Sequence, residues 1–503
     1  MAASALVLSP TTPTSYHRII SPTLRIPTDT QLPIPVGLLA CQRDPLLREL
    51  VSQVISCTVS QAAPVEKRAK KGKDQTPKES LLEVILHDTI LFPEGGGQPN
   101  DIGTIKTYNG ELWDVIDVKR HGGHAVHYVR VKNNDVDGAI KAFSPSSTVG
   151  IALGDAGFQR RLDHMCMHTS QHLLSAVLDR LNLPTLSWSL TAFPVPSYVE
   201  IPRAMTPEEI VSVQETANRY VFEGRQVHVE VEELEQEFVP DVAKTETGRS
   251  VGKSLPADYT GGVKRTVIID RVDRNPCCGT HLPSLNNLQL FLLPQTEGLC
   301  RAVTTSARLY FLAGPRLITY LTSTHSLLTS TSLILSCGAP QVPERVQQVV
   351  GDRKKATKRV EDLESELAIS IGRDLAATYS GAGSTTVLHK HRIDDASNPI
   401  AFLTAISFAF AEALPGSGTP PPYLLILSSS PSAQTTSSTT VIILFGSDEK
   451  NVKEVGNALR ASLNIKGGGK GTRWSGKFTG VWKDTREGAV VDNVLKGVNV
   501  SPA

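Results

Sequence analysis

The chain has almost no net charge, no long apolar run and an odd number of cysteines. These features argue against a generally basic nucleic-acid-binding protein, a membrane-spanning protein and a disulfide-stabilised protein. Its formal net charge is only +1 over 503 residues, so any contact with nucleic acid must depend on local basic patches. The longest apolar stretch, residues 400–414, is too short to cross a bilayer and is interrupted by Glu412. Seven widely spaced cysteines do not suggest a disulfide framework. We therefore expect a soluble, intracellular protein of two or three domains.

The first 39 residues lack acidic side chains up to Asp29 and are rich in serine, threonine and proline. With Arg18 and Arg25, this composition is compatible with an organelle transit peptide. Scattered prolines work against the amphipathic helix of such a peptide and favour a disordered tail. We predict a cytoplasmic protein with a disordered tail over residues 1–39, and a mitochondrial targeting segment is the alternative.

Hydrophobic patterning predicts an α+β protein in four further parts. Apolar and β-branched runs separated by turns predict a small β-barrel over residues 40–154. An α+β domain follows over 155–331, a helical linker over 332–375 and a small mixed α/β domain over 376–503. The predicted strands are 81–91, 113–118, 126–131, 265–269, 288–293, 423–427 and 440–444. The predicted helices are 170–181, 207–222 and 346–371, and the predicted surface loops are 66–74, 415–422 and 428–438.

Four residues of metal-binding type form two compact pairs. His168 and His172 stand four apart within a helical pattern, so both rings project from one face of the helix. Cys277 and His281 are also four apart, in the segment CCGTH. Three imidazoles and one thiolate suit zinc. A single histidine pair on a helix is more often incidental, but the two pairs together predict a zinc site.

Other catalytic arrangements fit this pattern less well. A zinc protease carries glutamate after the first histidine, as in HExxH, whereas Thr169 follows His168 here. The spacing differs from that of a zinc finger, in which two cysteines stand close together before the histidines.

Four longer segments carry a resemblance to a known family. Residues 157–178 (GFQRRLDHMCMHTSQHLLSAVL) and 277–284 (CCGTHLPS) resemble the editing domain of alanyl-tRNA synthetase and the free-standing alanyl-tRNA editing proteins of the AlaX type. Residues 91–105 (LFPEGGGQPNDIGTI) resemble the glycine-rich segment of the small barrel that precedes that domain. Residues 41–57 (CQRDPLLRELVSQVISC) resemble the start of the long eukaryotic form. The motifs occur in order up to about residue 327, and the match is weaker beyond.

The resemblance implies an ester hydrolase that removes a wrong amino acid from alanine tRNA, most of all serine, with glycine as a second substrate. It implies one zinc ion per chain, held by His168, His172, Cys277 and His281. Cys278 is the rival thiolate, but the C-x-x-x-H pattern selects Cys277. Zinc can lower the pKa of a bound water to about 7 and so supply hydroxide. Thr169 and Gln171 are candidate catalytic groups, or else polar groups that hydrogen-bond within the helix.

The resemblance also places a glycine-rich segment near the amino acid of the substrate. Serine differs from alanine by one added hydroxyl, and a small apolar pocket that selects alanine rejects serine only by about 100-fold. A second site that hydrolyses the wrong product is therefore useful. That site must hydrogen-bond the hydroxyl and leave polar groups unpaired when alanine enters. Glycine lets the backbone approach a ligand closely, although a plain hairpin turn is the alternative. The predicted substrate-binding residues are Gly95, Gly96, Gly97 and Gln98.

Contacts to tRNA are predicted at two places. Residues 466–486 carry six basic side chains against one aspartate, interleaved with tryptophan and phenylalanine, and resemble the glycine-rich end of a domain shared by alanyl-tRNA synthetases and a family of phosphoesterases. Basic groups neutralise phosphate and aromatic faces stack on bases, although a solvated loop is the alternative. The second place directly precedes the paired histidines. The predicted RNA contacts are Lys470, Arg473, Lys477, Arg160 and Arg161.

Two rival functions remain open. The editing domains of threonyl-tRNA synthetases share both zinc motifs, so the substrate could be another mischarged tRNA. The segments CCGTH and EGGGQP favour the alanine branch. The second rival is a non-catalytic tRNA-binding module with structural zinc, because four protein ligands normally mark a closed structural site.

Overall fold

The structure is a computed structural model that describes residues 11–61, 80–234, 262–299, 306–379, 385–396, 398–414 and 422–498. Contacts divide the chain into two compact units, Met1–Thr329 and Ser330–Ala503. The basic segment 66–74 and nearly all of the proline-rich segment 415–422 lie outside the described residues. Within the described part, none of the helices combines the length and the hydropathy needed to cross a membrane.

The first unit alternates strands and helices, and the last residues of its final helix belong to the second unit. In chain order the elements are β1 (His17–Ile19), α1 (Ala40–Arg43), β2 (Glu49–Val59), β3 (Leu81–Leu86), β4 (Gly103–Lys106), β5 (Leu112–His121), β6 (His124–Arg130), α2 (Val136–Ala142), β7 (Thr148–Ala152), α3 (Gly154–Asp179), β8 (Ser187–Ser189), β9 (Ser197–Ile201), α4 (Pro207–Phe222), β10 (Val227–Glu233), β11 (Val263–Ile269), β12 (Asp273–Pro276), β13 (Phe291–Leu292), β14 (Thr296–Gly298), β15 (Ala307–Ala313) and α5 (Gly314–Leu335).

A closed barrel forms from six strands in the order β2-β3-β6-β5-β4-β7. Along β3, Leu82, Val84 and Leu86 are buried and the residues between them are half-buried, as in a strand with one face on a core. The barrel confirms the predicted fold of this region. Strand β3 ends before the predicted residue 91 because the chain turns at Asp88. The carboxylate of Asp88 accepts hydrogen bonds from the backbone N–H groups of Ala40 and Thr89.

Helix α3 is the central element of the remaining part of the first unit. It is 26 residues long, more than twice the predicted helix 170–181. Its first half was not recognisable from apolar periodicity because it buries polar side chains, including Arg161 and Asp163. Two sheets, β1-β10-β11-β12 and β13-β15-β9-β8, with β14 paired to β15, belong to the same unit. Helix α4 covers the predicted residues 207–222, and Thr206 and Glu209 cap its start reciprocally.

The prediction of a disordered tail is wrong for residues 11–39. Strand β1 pairs in parallel with β10, and Tyr16, Ile34 and Val36 are at most 3% exposed in the core of the unit. Extended segments tolerate the prolines that argue against a helix, so the same composition is compatible with a packed strand-like segment.

The predicted strand 288–293 is also largely wrong. Residues Leu285–Leu288 form a 3-10 turn, and only Phe291–Leu292 pair with β15. The apolar side chains that suggested a strand are buried all the same, since Leu288 and Phe291 are at most 2% exposed. A segment that is buried without pairing into a sheet has the same short apolar run in its sequence as a buried strand.

The second unit is a three-layer α/β arrangement. Its elements are α6 (Val342–Ala377), β16 (Thr386–Ile393), α7 (Pro399–Ala413), β17 (Tyr423–Ser430), β18 (Thr439–Gly446), α8 (Glu449–Leu463), β19 (Lys466–Lys470), β20 (Arg473–Thr479) and α9 (Ala489–Val498). The sheet order is β16-β17-β18-β20-β19. On β17, Leu424 and Ile426 join the core with α8 and α9, while Leu425 and Leu427 join the core with α6 and α7. Alternate residues of one strand therefore face two helical layers.

The predicted surface loop 428–438 is wrong at its start. Ser428, Ser429 and Ser430 continue β17 and are at most 2% exposed. Their hydroxyls are paired within the unit, with His391 for Ser428 and Ser430, and with Asp394 for Ser429. Hydrogen-bonded serines can thus extend a buried strand, although composition alone favoured a loop.

Candidate metal centre

Two segments of the first unit bring four metal-binding side chains together. Helix α3 presents His168 and His172 one turn apart, and the turn after β12 presents Cys277 and His281. One ligand atom from each residue lies within 4.8 Å of the ligand atoms of all the others. All four side chains are buried. The sequence pairs that predicted zinc ligands are therefore a single cluster that could hold one metal ion, and a set of three nitrogens and one sulfur is consistent with zinc.

The outer ring nitrogen of each histidine is held by a neighbouring side chain. His168 Nδ1 lies 3.0 Å from Gln98 Oε1, and His172 Nδ1 lies 2.9 Å from Asp273 Oδ2. His281 Nδ1 lies 3.3 Å from Thr169 Oγ1. Such contacts fix the ring and its tautomer in metal sites and leave Nε2 for the metal.

The tautomer of His168 follows from the contacts of Gln98. The backbone N–H of Thr280 donates to Gln98 Oε1 at 3.0 Å, and Gln98 Nε2 donates to Thr280 Oγ1 at 2.8 Å. Gln98 Oε1 is therefore an acceptor, so His168 Nδ1 donates its proton to it, and His168 Nε2 is the nitrogen that faces Cys277 Sγ, at 3.4 Å. Gln98 itself is completely buried.

One polar atom in the cluster lacks a hydrogen-bond partner. His281 Nε2 is buried and unpaired among the described residues, and a buried unpaired nitrogen is costly. Burial, followed by the charge of His168, lowers the pKa of His281 well below its usual value. A neutral imidazole with an open lone pair is the state that coordinates a metal, so the residues present fit a bound zinc ion.

The two adjacent cysteines differ in their surroundings. Burial raises the pKa of the Cys277 thiol, but the neighbouring histidines, His168 above all, outweigh burial and bring that pKa well below its usual value. Burial raises the pKa of Cys278 to about 12. Cys277 therefore favours the thiolate, the form that binds metal, and Cys278 stays a thiol outside the cluster of ligand atoms.

The glycine-rich segment lies against these ligands. Gly95 and Gln98 exchange two backbone hydrogen bonds, and Gly96 and Gly97 between them have φ values of +63° and +79°, as in the tight turns that favour glycine. A Cβ on Gly96 would lie 3.5 Å from Cys277 Sγ and 3.6 Å from His168 Cε1. The turn that closes this hairpin therefore lies in van der Waals range of two of the four candidate ligands.

The two polar residues between the paired histidines have different positions. Thr169 Oγ1 contacts His281 and also accepts the backbone N–H of Leu282 at 3.1 Å. Gln171 is half-buried and donates to Ser175 Oγ at 2.8 Å. In the described part of the chain, no hydrogen bond joins Gln171 to a ligand. Thr169 therefore contacts one candidate ligand, whereas Gln171 hydrogen-bonds within the helix, and the catalytic roles of both stay predictions.

Two neighbours of the cluster were not identified from the sequence. Asp273, which holds His172, precedes Cys277 by four residues. An aspartate at this distance from a cysteine is common on protein surfaces, so the spacing did not identify it. The indole of Trp188 stacks on His168, with ring centroids 4.9 Å apart and 29° between the planes. It also lies against Gly97, where a Cβ would come within 2.8 Å of the indole. Neither contact could be recognised from neighbouring residues in the sequence. Each forms only because the folded chain brings β8 or β12 next to helix α3.

The predicted RNA contacts are only partly exposed. Arg161 is fully buried, where it pairs with Asp101, so its prediction as an RNA contact is wrong. A buried arginine needs such a partner, and the resulting ion pair joins α3 to the barrel segment. Arg160 is half-buried and donates to the backbone oxygen of Asn100.

The basic segment of the second unit is a two-stranded ribbon, β19-β20, rather than a loop. Lys470, Arg473 and Lys477 are exposed on it. Trp474 and Trp482 are at most 6% exposed in the core beside α8, so the prediction that these two rings stack on bases is wrong. What the ribbon offers to a ligand is positive charge.

The first unit combines a closed barrel with an α+β core that buries three histidines and one cysteine. These features define a protein with a candidate zinc centre. Comparisons with known proteins identify its family. No protein-family model matches the chain. The chain is 31% identical over 473 residues to a Saccharomyces cerevisiae protein provisionally named alanyl-tRNA editing protein alaX, which covers 89% of this chain and 94% of that one. It is 31% identical over 362 residues to alanyl-tRNA editing protein Aarsd1 of Rattus norvegicus, covering 72% and 79% of the two chains.

A longer protein shares part of the chain. The alanine–tRNA ligase of Thermococcus kodakarensis is 31% identical over 310 residues, which are 60% of this chain and 31% of the ligase. The chain therefore belongs to the family of alanyl-tRNA editing proteins, and the resemblance inferred from its motifs is confirmed.

Proposed function

We propose that the chain hydrolyses the ester bond of mischarged alanine tRNA, releasing serine most of all and glycine as a second substrate. The observation that carries the proposal is the contact between the Gly95–Gln98 turn and the metal ligands. Because of this contact, backbone N–H groups of the turn lie beside the four candidate metal ligands. An aminoacyl ester bound there could contact the turn and the metal ion together. The names of the relatives from Saccharomyces cerevisiae and Rattus norvegicus support alanyl-tRNA editing.

The side chains around the cluster would hold a zinc ion in a fixed orientation. His168, His172, Cys277 and His281 are the proposed ligands. Bound zinc would lower the pKa of a coordinated water to about 7 and polarise the substrate carbonyl. Gln98, Thr169 and Asp273 keep the imidazoles oriented, which is the usual role of groups that contact the outer nitrogen of a metal-bound histidine.

The glycine turn offers donors to the substrate. The backbone N–H groups of Gly96 and Gly97 donate no hydrogen bond within the described residues. In such a turn the two central N–H groups point away from the hydrogen bonds that join its first and last residues. We infer that they receive the carbonyl oxygen of the ester or the hydroxyl of serine. Alanine lacks that hydroxyl and would leave a donor unpaired, a loss that can discriminate strongly in a closed site.

Capture of the tRNA is proposed at the basic ribbon, with Lys470, Arg473 and Lys477 neutralising phosphates. Their exposure supports this role. Arg160, half-buried near the start of α3, is a second candidate contact.

The decisive test is deacylation of purified charged tRNAs by the full chain. We expect hydrolysis of serine-charged alanine tRNA, slower hydrolysis of glycine-charged alanine tRNA, and little release of alanine. Preferential release of serine from threonine tRNA would assign the chain to the threonyl-type substrate instead. Absence of hydrolysis of any charged tRNA by zinc-loaded protein that still binds tRNA would contradict an enzyme and indicate a binding module.

A further inference from the structure

Helix α3 buries a histidine whose ring has no hydrogen-bond partner. His164 is only 4% exposed, and its Nδ1 is buried without a partner among the described residues. Its Nε2 also makes no hydrogen bond in the described part of the chain. Nearly all buried polar groups of folded proteins are paired, so an unpaired one indicates strain, a missing ligand or a bound water.

A second buried histidine shows how a structural imidazole is accommodated in this unit. His127 is completely buried in the barrel, with Nδ1 at 3.0 Å from the backbone oxygen of Val84 and Nε2 at 2.8 Å from Thr89 Oγ1. A neutral imidazole has one donor and one acceptor, and the protein itself satisfies both in His127. His164 is nearly as deeply buried, but both of its nitrogens are left for another molecule.

His164 lies along helix α3 between the metal cluster and Arg160. Residues four apart on a helix share a face and are about 6 Å apart along its axis. His164 is therefore one turn before His168, and Arg160 is one turn before His164. The segment after the glycine turn follows the same stretch of helix, because Gln98 contacts His168 and the backbone oxygen of Asn100 accepts a hydrogen bond from Arg160 at 3.1 Å.

The surroundings of His164 are positively charged. Burial, followed by the charges of Arg160 and Arg316, lowers the pKa of His164 to about 3, so its imidazole is neutral at neutral pH. Arg316 is fully buried and paired with Asp163. Arg160 is half-buried and has no acidic partner among the residues that the structure describes. Arg160 is thus the cation of this group that can still bind an anion.

A neutral imidazole and a guanidinium one turn apart match two groups of a nucleotide. A ribose hydroxyl both donates and accepts hydrogen bonds, as a neutral imidazole does, whereas a phosphate only accepts and pairs best with a guanidinium. In an aminoacyl-tRNA the ester is on the terminal ribose, with a free hydroxyl on the next carbon and the 5′-phosphate further away. If the ester is at the metal cluster, hydroxyl and phosphate follow in the order of His164 and Arg160.

We propose that His164 and Arg160 form a subsite for the terminal nucleotide of the charged tRNA. His164 hydrogen-bonds the ribose hydroxyl beside the ester, and Arg160 binds the 5′-phosphate of the same nucleotide. The inference rests on the proposed function, from which it takes the position of the ester. Hydroxyl and phosphate are common to all charged tRNAs, so this subsite positions the ester, and selection of the amino acid is left to the glycine turn.

Binding of a non-hydrolysable analogue measures the subsite directly. The probe is adenosine 5′-monophosphate with serine attached at the 3′ position through an amide, and two further probes lack the 2′-hydroxyl or the phosphate. A second set carries the amide at the 2′ position, and the set that binds more tightly is used. For the zinc-loaded full chain, loss of either group should raise the calorimetric Kd at least about 10-fold.

Each variant should remove the response to one group only. In His164→Phe the loss of the ribose hydroxyl should change Kd less than about 2-fold, while the response to the phosphate stays as in the parent. In Arg160→Gln the two responses should be exchanged. Equal Kd values for all probes in the parent protein would overturn the subsite.

The variant His127→Phe provides a matched control for stability. It removes the hydrogen bonds of a paired, buried imidazole, so it should lower Tm by at least about 4 °C and leave the Kd values unchanged. His164→Phe removes no hydrogen bond within the described residues, so its Tm and zinc content should match the parent. A His164→Phe protein that is as unstable as His127→Phe and binds all probes equally weakly would make His164 a structural residue and overturn the proposal.

Deacylation separates the subsite from the proposed function. We expect His164→Phe to lower kcat/KM for serine-charged alanine tRNA at least about 10-fold. If the parent hydrolyses this tRNA and His164→Phe does so equally well, the subsite is overturned and the proposed function stands. If the parent hydrolyses no charged tRNA, but binds the probes with a hydroxyl dependence that His164→Phe removes, the proposed function fails and the subsite stands.

Discussion

The hydroxyl of Tyr16 donates a hydrogen bond to the backbone carbonyl oxygen of His281, at 3.1 Å and across 265 positions of sequence. Tyr16 is 1% exposed and precedes β1 directly. The N-terminal segment therefore supports the turn that carries two of the proposed zinc ligands. A segment whose composition resembles a removable leader thus contacts the backbone of the candidate metal centre.

The first prediction concerns this contact. Tyr16→Phe should reduce the free energy of unfolding by about 1–3 kcal/mol, because it leaves a buried carbonyl oxygen unpaired, and it should weaken zinc retention. Tyr108→Phe is the matched control, since Tyr108 is 72% exposed. Removal of residues 1–39 should abolish zinc binding, whereas removal of residues 1–10 leaves Tyr16 in place and should not. Equal zinc content in both truncated proteins, measured by metal analysis, would contradict a role for the segment.

The second prediction concerns the ligands. The purified protein should contain about one zinc ion per chain, and His172→Ala or Cys277→Ala should lower both zinc content and deacylation strongly. Cys278→Ala should retain zinc, because the Cys278 thiol is outside the cluster and its pKa is raised by burial to about 12. A Cys277→Ala protein that keeps its zinc while Cys278→Ala loses it would exchange the two assignments.

The third prediction concerns the carboxylate that orients His172. Asp273→Ala should weaken zinc affinity by about 10- to 100-fold, the usual effect of removing the partner of a metal-bound histidine. Asp270→Ala is a matched control, because Asp270 contacts His228 at 3.1 Å rather than a ligand. Competition with a chelator gives both affinities. Equal affinities in the two variants would show that Asp273 has no part in holding the metal.

The sequence was sufficient for the parts of the fold that have local periodicity. Helix α4 has a capping residue and an apolar face, and its bounds agree with the prediction. The four candidate metal ligands were recognisable because both pairs lie within single local segments. The supporting residues were not, because Tyr16, Gln98 and Asp273 reach the cluster through long-range folding. Gln98 was predicted as a substrate residue; it is fully buried and contacts His168, and its substrate role stays a prediction.

The fourth prediction compares two glycines with positive φ. Gly96 and Gly110 have φ values of +63° and +87°, so alanine at either position should cost about 1–2 kcal/mol of stability through backbone strain. Only the Cβ at position 96 would touch the ligands, whereas that at position 110 has no atom within 4 Å. We expect Gly96→Ala to lower kcat/KM for serine-charged alanine tRNA by at least about 10-fold, equivalent to about 1.4 kcal/mol, and Gly110→Ala to leave it unchanged. Equal activity in the two variants would make the segment a plain turn.

The last prediction concerns the basic ribbon of β19 and β20. Lys466 lies directly opposite Lys477, and Lys470 directly opposite Arg473. Like charges in opposing positions destabilise a strand pair, so folding alone does not account for this arrangement. A phosphate backbone would neutralise both pairs.

Replacing Lys466, Lys470 and Lys477 by alanine separates capture of tRNA from hydrolysis. Arg473 is kept, because its guanidinium lies 4.1 Å from the ring centre of Phe408 and its removal would disturb packing. The triple variant should raise KM, leave kcat and zinc content nearly unchanged and reduce the log–log salt slope of binding by roughly 2–3 if all three lysines contact phosphate. It should also be at least as stable as the parent, since like-charge repulsion is relieved. A second triple variant at the exposed Lys450, Lys453 and Lys496 removes the same charge from helices α8 and α9. If the two triple variants show the same salt dependence of deacylation, the ribbon makes no specific contact with tRNA and only net charge matters.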